Sequence, residues 1–253
     1  MKRAAEARSL RVFTPERLKP FVDEVRALAP DAFVVASYGK IVPQALLDVP
    51  PHGSLNVHPS LLPLYRGATP LQSAIWDGRT ETGVSIILMD AGMDTGDVVL
   101  QERTALGPDE TYGELHDRLA LRGAALLADA LERTAQGTLE PRPQSSFGIP
   151  DDEIARTLTR PILKACWPLD ETRGPVGMVN QIRSLAPVPA ARLTVDGETL
   201  KVLAARAARD GEPPGAVTAD DGFAYDGIVL LRVVPPNRAP MSGAAWRRSS
   251  VRA

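Results

Sequence analysis

Asn56 and His58 stand two residues apart in the run Leu55-Asn56-Val57-His58, and Pro59 follows. On an extended backbone, residues two apart point to the same face. A side-chain amide and an imidazole therefore emerge together. Pro59 has no N–H to give a ladder and closes the strand. In open α/β sheets, ligand sites lie outside the carboxyl ends of strands. A third group comes from the loop Asp90-Ala91-Gly92-Met93-Asp94-Thr95-Gly96-Asp97. A carboxylate reaching His58 from a neighbouring strand end favours imidazolium and fixes its tautomer. Amide, imidazole and carboxylate together suit acyl transfer to an amine. Asn56 and His58 would donate to the developing oxyanion. Asp94 would hold His58 and help move the proton lost by the amine. No serine or cysteine sits in a nucleophile elbow, and the amine itself can attack.

Each residue also has a plainer reading. An isolated histidine at a strand end is often a packed, satisfied side chain. A loop with three aspartates and two glycines is also an ordinary turn between strands. A calcium loop is a further option for it, but the downstream glutamate ligand of an EF-hand is missing. His52 reads as a turn residue beside Gly53, and His116 as one face of a long helix.

The elements that must position these groups alternate in type. Met1 to Leu10 has the pattern of an amphipathic helix. Thr14 and Pro15 have the form of an N-cap and first helical residue, followed by a helical stripe at Leu18, Phe21, Val22, Val25 and Leu28. Ala32 to Ala36 is a continuous apolar run, as a buried parallel strand would be. A short helix is expected within Ile41 to Leu47, then a strand over Ser54 to Val57. Thr69-Pro70 starts a helix to about Trp76. Thr82 to Met89 and Val98 to Gln101 read as strands. Glu110 to Glu132 carries a long helical pattern that Gly137 stops. This alternation predicts a parallel α/β domain up to residue 138. Pro141, Pro143 and Pro150 mark a linker over 139–156. From Ala190 the segments are short and strand-like. Asp196-Gly197, Asp221-Gly222 and Asp226-Gly227 supply turns, and Ile228 to Val234 is a strand. Residues 157–253 thus read as a small barrel of OB-like type. The Ala/Arg run Ala204 to Arg209 reads as a surface loop, and Trp246 as packing rather than a base-stacking platform.

Bulk properties narrow the class. The chain has 253 residues, 44% hydrophobic and 24% charged, with formal net charge −2. There is no global basic field, so a nucleic-acid partner must be met by a local patch. The single cysteine, Cys166, excludes an internal disulfide and a multi-cysteine zinc site. It fits a reducing cytoplasm. No apolar run approaches the roughly 18 residues of a membrane span, and no signal peptide is visible. The expectation is a cytoplasmic protein without metal or membrane partner.

The strings NVHPSLLPLYRGATPLQSAIWDG and TGVSIILMDAGMDTGDVV resemble the 10-formyltetrahydrofolate-dependent formyltransferases. The shared signature is the Asn-x-His strand end, Ser-Leu-Leu-Pro, Tyr-Arg-Gly-Ala and the Asp-Thr-Gly-Asp loop. The resemblance implies a Rossmann-like catalytic domain over 1–138. It implies Asn56, His58 and Asp94 as the catalytic trio, and folate contacts from Ser60, Leu61, Leu62 and Pro63. The loop Tyr38-Gly39-Lys40-Ile41-Val42 and the loop Asp90 to Met93 are implied to line the pterin pocket. Within the family the likeness runs toward the branch whose acceptor is initiator methionyl-tRNA. Thr159, Trp167, the stretch Arg183 to Ala191, Gly215-Ala216-Val217 and Met241-Ser242 match that branch where it enters its C-terminal barrel. Val188 and Ala190 depart from the usual Trp and Gly. The implied co-substrate is 10-formyltetrahydrofolate, with no metal, and the implied protein is a monomer acting in translation initiation.

The family pattern begins with a strand, a Gly-rich turn, a helix and a second strand before the helix at Lys2 to Leu10. The expectation is that on the order of 50 residues of such a βαβ unit are missing here. A sheet without that strand exposes unpaired edges, so a less stable and less active chain is expected. Candidate RNA contacts are Lys201, Arg206, Arg209, Arg238, Arg247, Arg248 and Arg252. Their plain alternative is a solvated mixed surface, since acidic residues are interspersed. Two rival functions stand beside methionyl-tRNA formylation. One is a formyltransferase or hydrolase of the same fold acting on a sugar nucleotide or the folate itself. The other is a folate-incompetent chain that keeps only an RNA-binding barrel.

Overall fold

A computed structural model describes residues 2–39 and 41–250. Lys40 and Arg252, both named above, lie outside the described residues. Two sheets carry the chain. The first has strand order β1-β2-β3-β4, formed by β1 (Phe33–Val35), β2 (Ser54–His58), β3 (Glu81–Leu88) and β4 (Val98–Ala105). The expected parallel pairing is present between β1 and β2, with Val35 opposite Asn56. Beyond β2 the sheet continues antiparallel: β3 runs against β2 although the helix Pro70–Trp76 lies between them in sequence, and β4 returns along β3 through a short loop. Ser85 pairs with His58, so β3 supports the strand end from one side.

The long helix α5 (Tyr112–Gln136) covers this sheet. Its start is a capping box: Thr111 accepts from the Glu114 N–H while the Glu114 carboxylate accepts from the Thr111 N–H. Its buried face, Leu115, Leu119 and Ala130, packs on Leu55, Val84, Ile86 and Val99. Helix α4 (Pro70–Trp76) begins as expected with Pro70 in its first turn and adds Leu71 and Ile75 to the same core. Thr69, however, gives its hydroxyl to the Arg160 carbonyl instead of capping the helix.

The N-terminal stretch departs from its expected form. Helix α1 (Lys2–Glu6) buries no residue. Thr14-Pro15 starts no helix. The stripe condenses into a single 3-10 turn, Lys19–Phe21, followed by α2 (Val22–Arg26), with Val22 alone buried. Pro20 is the reason: it lacks an N–H and clashes with a preceding turn, so helix can only begin at it. The expected burial of β1 is likewise incomplete. Val34 is 46% exposed, because β1 pairs only with β2 among the described residues. A short helix α3 (Gln44–Leu47) follows and buries Leu46 and Leu47.

The stretch read as a linker holds a 3-10 turn at Gln144–Phe147 and helix α6 (Asp151–Arg156). Helix α7 (Gly174–Leu185) then leads into an antiparallel sheet of β5 (Ala191–Val195), β6 (Glu198–Ala207), β7 (Phe223–Tyr225), β8 (Ile228–Val234) and β9 (Met241–Ser242). The Asp196-Gly197 turn has φ of +50° and +82°, the left-handed pair that a two-residue hairpin needs. Residues 204–207 are strand rather than surface loop, since each pairs across to β8 from Arg232 back to Ile228. Helix α8 (Gly243–Ser250), not expected from sequence, closes the sheet. Its Trp246 is fully buried against Phe223, and its indole N–H donates to Glu198, in keeping with a packing role.

Candidate active site

His58 is the last residue of β2 and is 4% exposed. Its Nε2 lies 2.9 Å from the Tyr65 carbonyl oxygen. A carbonyl only accepts, so Nε2 carries the proton and Nδ1 is the nitrogen turned to the site. Nδ1 lies 3.5 Å from Asp94 Oδ1. Asn56 Nδ2 donates to that same oxygen, also at 3.5 Å. The other carboxylate oxygen, Oδ2, accepts from the Gly67 N–H at 2.9 Å. Burial pushes the imidazole below its ordinary value, the Asp94 carboxylate and the Tyr65 carbonyl pull it up, and Arg66 lowers it further. The Asn56 amide and His58 Nδ1 thus converge on one carboxylate oxygen with long contacts, while the short contact anchors the carboxylate from behind.

Two loops make this possible. In the first, Tyr65 stands at φ +58°, a conformation bulky residues avoid. It is held there because its N–H meets the Thr157 hydroxyl at 3.3 Å. Its own hydroxyl donates to Asp77 at 3.0 Å and accepts from Arg79 at 2.8 Å. Burial drives the phenol up to about 12, so it stays a donor. Gly67, at φ +107°, allows closest approach: a Cβ there would come within 2.4 Å of the Thr159 carbonyl oxygen. Thr159 N–H and hydroxyl both donate to the Arg66 carbonyl, at 2.8 and 3.0 Å. In the second loop, Asp94 itself adopts φ +55°.

The other sequence-predicted residues divide by exposure. Ser60 is fully buried and its hydroxyl donates to the Leu64 carbonyl at 2.7 Å. Leu62 is buried with Ile87 and Val98. Its N–H reaches Ser85 and its carbonyl accepts from Gln101. Pro63 is buried and Leu61 half-buried. Ser60 to Pro63 therefore form a rigid frame behind His58. Tyr38, Gly39, Ile41 and Asp90 are exposed, and Val42 is half-buried. Residues 37–39 leave β1 just beyond Val35, the partner of Asn56, at the same sheet end. Asp90 accepts from the Gly92 N–H and the Thr95 hydroxyl and shapes its loop.

Of the described residues named for RNA contact, Lys201 and Arg206 lie on β6, Arg209 and Arg238 in loops of the second sheet, and Arg247 and Arg248 on α8. Arg206 is enclosed by Glu212 and Asp220, with contacts of 2.7 Å to each. Arg247 pairs with Asp196 and Arg248 with Asp221. Arg238 donates to Ser249. Lys201 and Arg209 have exposed side chains.

Two contributors to the mouth, Gln144 and Thr157, carry no local signal in sequence. Both fall in or beside a proline-rich stretch that reads as linker, while Arg66 belongs to the Tyr-Arg-Gly-Ala string. The bonds of these two into the mouth come from far along the chain, 48 and 50 positions for Gln144 to Gly96 and Asp94, 78 for Gln144 to Arg66 and 92 for Thr157 to Tyr65.

The model of the formyl transferase family, described as formyl transferase, matches residues 2–131. A methionyl-tRNA formyltransferase of Pelobacter propionicus is 40% identical over 240 residues, 92% of this chain and 73% of the relative. The chain belongs to the formyl transferase family. A methionyl-tRNA formyltransferase of Myxococcus xanthus is 40% identical over 252 residues, 96% of this chain and 78% of that protein. Among solved structures, WlaRD, a sugar 3N-formyl transferase crystallised in the presence of dTDP and 5-N-formyl-THF, superimposes with a TM-score of 0.67. It is 14% identical, and the match covers 94% of this chain and 82% of that one. At that identity the likeness concerns the fold, the Rossmann-like α/β fold of formyltransferases. No helix among the described residues is long and apolar enough to cross a membrane.

Proposed function

We propose that the chain transfers the formyl group of 10-formyltetrahydrofolate to the free amino group of initiator methionyl-tRNA. The observation that carries this reading is the convergence of Asn56 Nδ2 and His58 Nδ1 on one point beside Asp94, in a chain about 40% identical to methionyl-tRNA formyltransferases. The donor set fits a formyl oxygen. Donors meeting at 3.5 Å leave space for an acceptor atom to enter and shorten both bonds as charge develops.

The folate supplies an activated formyl carbon. The amine of the methionyl ester attacks it, and the C=O electrons pass to oxygen. Asn56 donates to that oxygen, and His58 Nδ1 does so with a second proton that it holds jointly with Asp94. The proton is shared between Nδ1 and Asp94 Oδ1, which meet across the site. Asp94 takes the proton that the amine loses and returns it, with His58, to the departing folate nitrogen. Tetrahydrofolate and formylated methionyl-tRNA result. Exposed Tyr38, Ile41 and Met93 offer apolar surface for the pterin ring beside the buried frame Ser60 to Pro63, with Gly39, Val42 and Asp90 completing the mouth.

The reading divides the chain into a catalytic domain over 1–138, a connecting stretch over 139–156 and an RNA-facing domain over 157–253, closed as an OB-like barrel. Bridges from Val217 to Phe223 and from Pro168 to Arg192 extend the sheet edges in support of that closure. Among the described candidates, Lys201, Arg209 and Arg238 are not clamped by a carboxylate as Arg206 is and can meet phosphate. Arg206, Arg247 and Arg248 act there with their charge already partly met. All groups of the site come from one chain, which supports a monomer, and the acceptor places it in the cytoplasm. An aminosugar acceptor has only the fold in its support.

The test is formyl transfer from 10-formyltetrahydrofolate to charged initiator tRNA, with folate binding measured by calorimetry. Transfer by the unaltered chain and loss of about a hundredfold or more in the Asn56→Ala, His58→Ala and Asp94→Ala variants is expected. No folate binding, or only a few-fold loss in His58→Ala, overturns the reading.

A further inference from the structure

Gln144 lies outside the trio, yet its amide is saturated. It is 5% exposed. Its Nε2 donates to the main-chain carbonyls of Asp94 and Gly96, each at 2.8 Å. Its Oε1 accepts from Arg66 Nε at 3.0 Å and Nη2 at 2.7 Å. The orientation of the amide is forced, because carbonyls only accept and a guanidinium only donates. All four of its bonding positions are spent on the two loops that form the site.

Both loops need holding. Asp94 stands in the left-handed region, which persists in a non-glycine residue only where surroundings impose it. The Gln144 donations grip the carbonyls of Asp94 and Gly96, at that bend and two residues beyond it. Arg66 precedes Gly67, whose N–H anchors the Asp94 carboxylate. A guanidinium released from Gln144 would lie within reach of that carboxylate and compete with His58 for it. Its full charge would outbid the neutral or shared-proton donors.

We propose that Gln144 is a positioning residue for formyl transfer, which keeps the Asp94 carboxylate on His58 and Asn56 by fixing the Asp94 bend and by sequestering Arg66. The proposal rests on the formyl-transfer reading. It also gives the connecting stretch a role in the site rather than that of a spacer.

Two variants test it. Gln144→Glu keeps the shape and still accepts from Arg66, but it brings oxygen, with nothing to donate, against two carbonyls. Gln144→Ala removes both routes. Both are expected to fold and to lose about tenfold to a hundredfold in kcat, with KM for folate and tRNA within about twofold. In an Asp94→Asn background the further loss from Gln144→Glu is expected to shrink to less than about threefold, because both changes act on one group. On the same samples, the His58 imidazole followed by NMR is expected to titrate lower in Gln144→Ala, since the carboxylate that raises it has withdrawn. Arg66 and Asp94 are the charged groups that face His58. Full kcat in Gln144→Glu, losses that multiply independently of Asp94, or an unmoved His58 titration each overturn the proposal. A variant that does not fold assigns Gln144 to stability alone and overturns it too. If Asp94→Asn by itself retains full transfer, it is the assignment of the trio that fails.

Discussion

The mouth at the end of β2 and the cluster around Arg206 are both built from charged and polar side chains, and they use charge in opposite ways. At the mouth, Asp94 meets His58 and Asn56 at 3.5 Å, while its second oxygen is tied down at 2.9 Å by a backbone N–H. The contacts toward the open side are long and those behind are short. Around Arg206 every contact is short: Glu212 and Asp220 take the guanidinium in paired bonds of 2.7 to 3.0 Å. Such paired charge-assisted bonds consume the charge they join. The first cluster is left with bonding capacity for a guest, and the second is a clamp on the loop between β6 and β7. The presence of charged residues is therefore a poorer guide to a site than the slack in their contacts.

The widest separation between the two regions is expected in transfer rate. His58→Ala should cost about a hundredfold or more, whereas Arg206→Ala should leave kcat within about twofold, as a change remote from the reacting atoms. Parallel assays of the two variants check this, and a comparable loss in both would dissolve the contrast. Next comes the backbone of the mouth. Gly67→Ala forces a Cβ toward the Thr159 carbonyl oxygen at 2.4 Å and onto a φ of +107°. It is expected to lower stability by about 1–3 kcal/mol, the scale of such backbone strain, read as a shifted denaturant midpoint.

A smaller effect separates free from clamped cations. Lys201→Glu and Arg209→Glu should weaken tRNA binding and flatten the salt dependence by about one phosphate contact each. Arg206→Gln should leave that slope unchanged. Binding isotherms at several salt concentrations decide the matter.

The smallest effect is acid lability, and the two regions should show it in different windows. Hydrogen bonds from Arg206 and the Arg209 N–H hold the Glu212 carboxyl down to about 2. A depressed carboxylate stabilises the fold above its unfolded value of about 4.3. That contribution drains away as pH falls toward 2. His58 is also depressed, by burial, so the unfolded chain takes up the proton first. Its contribution is present above an unfolded value of about 6.5 and is lost as pH falls below that. Thermal unfolding across pH should show the upper window vanish in His58→Gln and the lower one vanish in Glu212→Gln.

Much of this was legible in the linear order. The Asn-x-His spacing placed two side chains on one face because strand periodicity is local, and β2 obeys it. Gly137 stopped α5 in the left-handed conformation that glycine adopts freely, and Asp196-Gly197 turned its hairpin through the φ values of its own residues. The N-terminal helix was misjudged where one residue, Pro20, outweighed a good apolar stripe. Residues 204–207 were misjudged because alanine says little about a strand until β8 lies beside it.

Local chemistry determined the strand end, the hairpin turn and the types of the three side chains that meet at the mouth, since each depends on residues a few positions apart. What only the tertiary structure decided is which nitrogen of His58 faces the site, which cations are already spent, and that Gln144 and Thr157 belong to the mouth. Gln144 and Thr157 depend on partners 78 and 92 positions distant, in the Gln144–Arg66 and Thr157–Tyr65 bonds, and the His58 and Arg206 contacts on loops whose path no periodicity gives. Hydrogen bonds are selected by direction and distance in space, and folding alone brings those donors and acceptors within 3.3 Å.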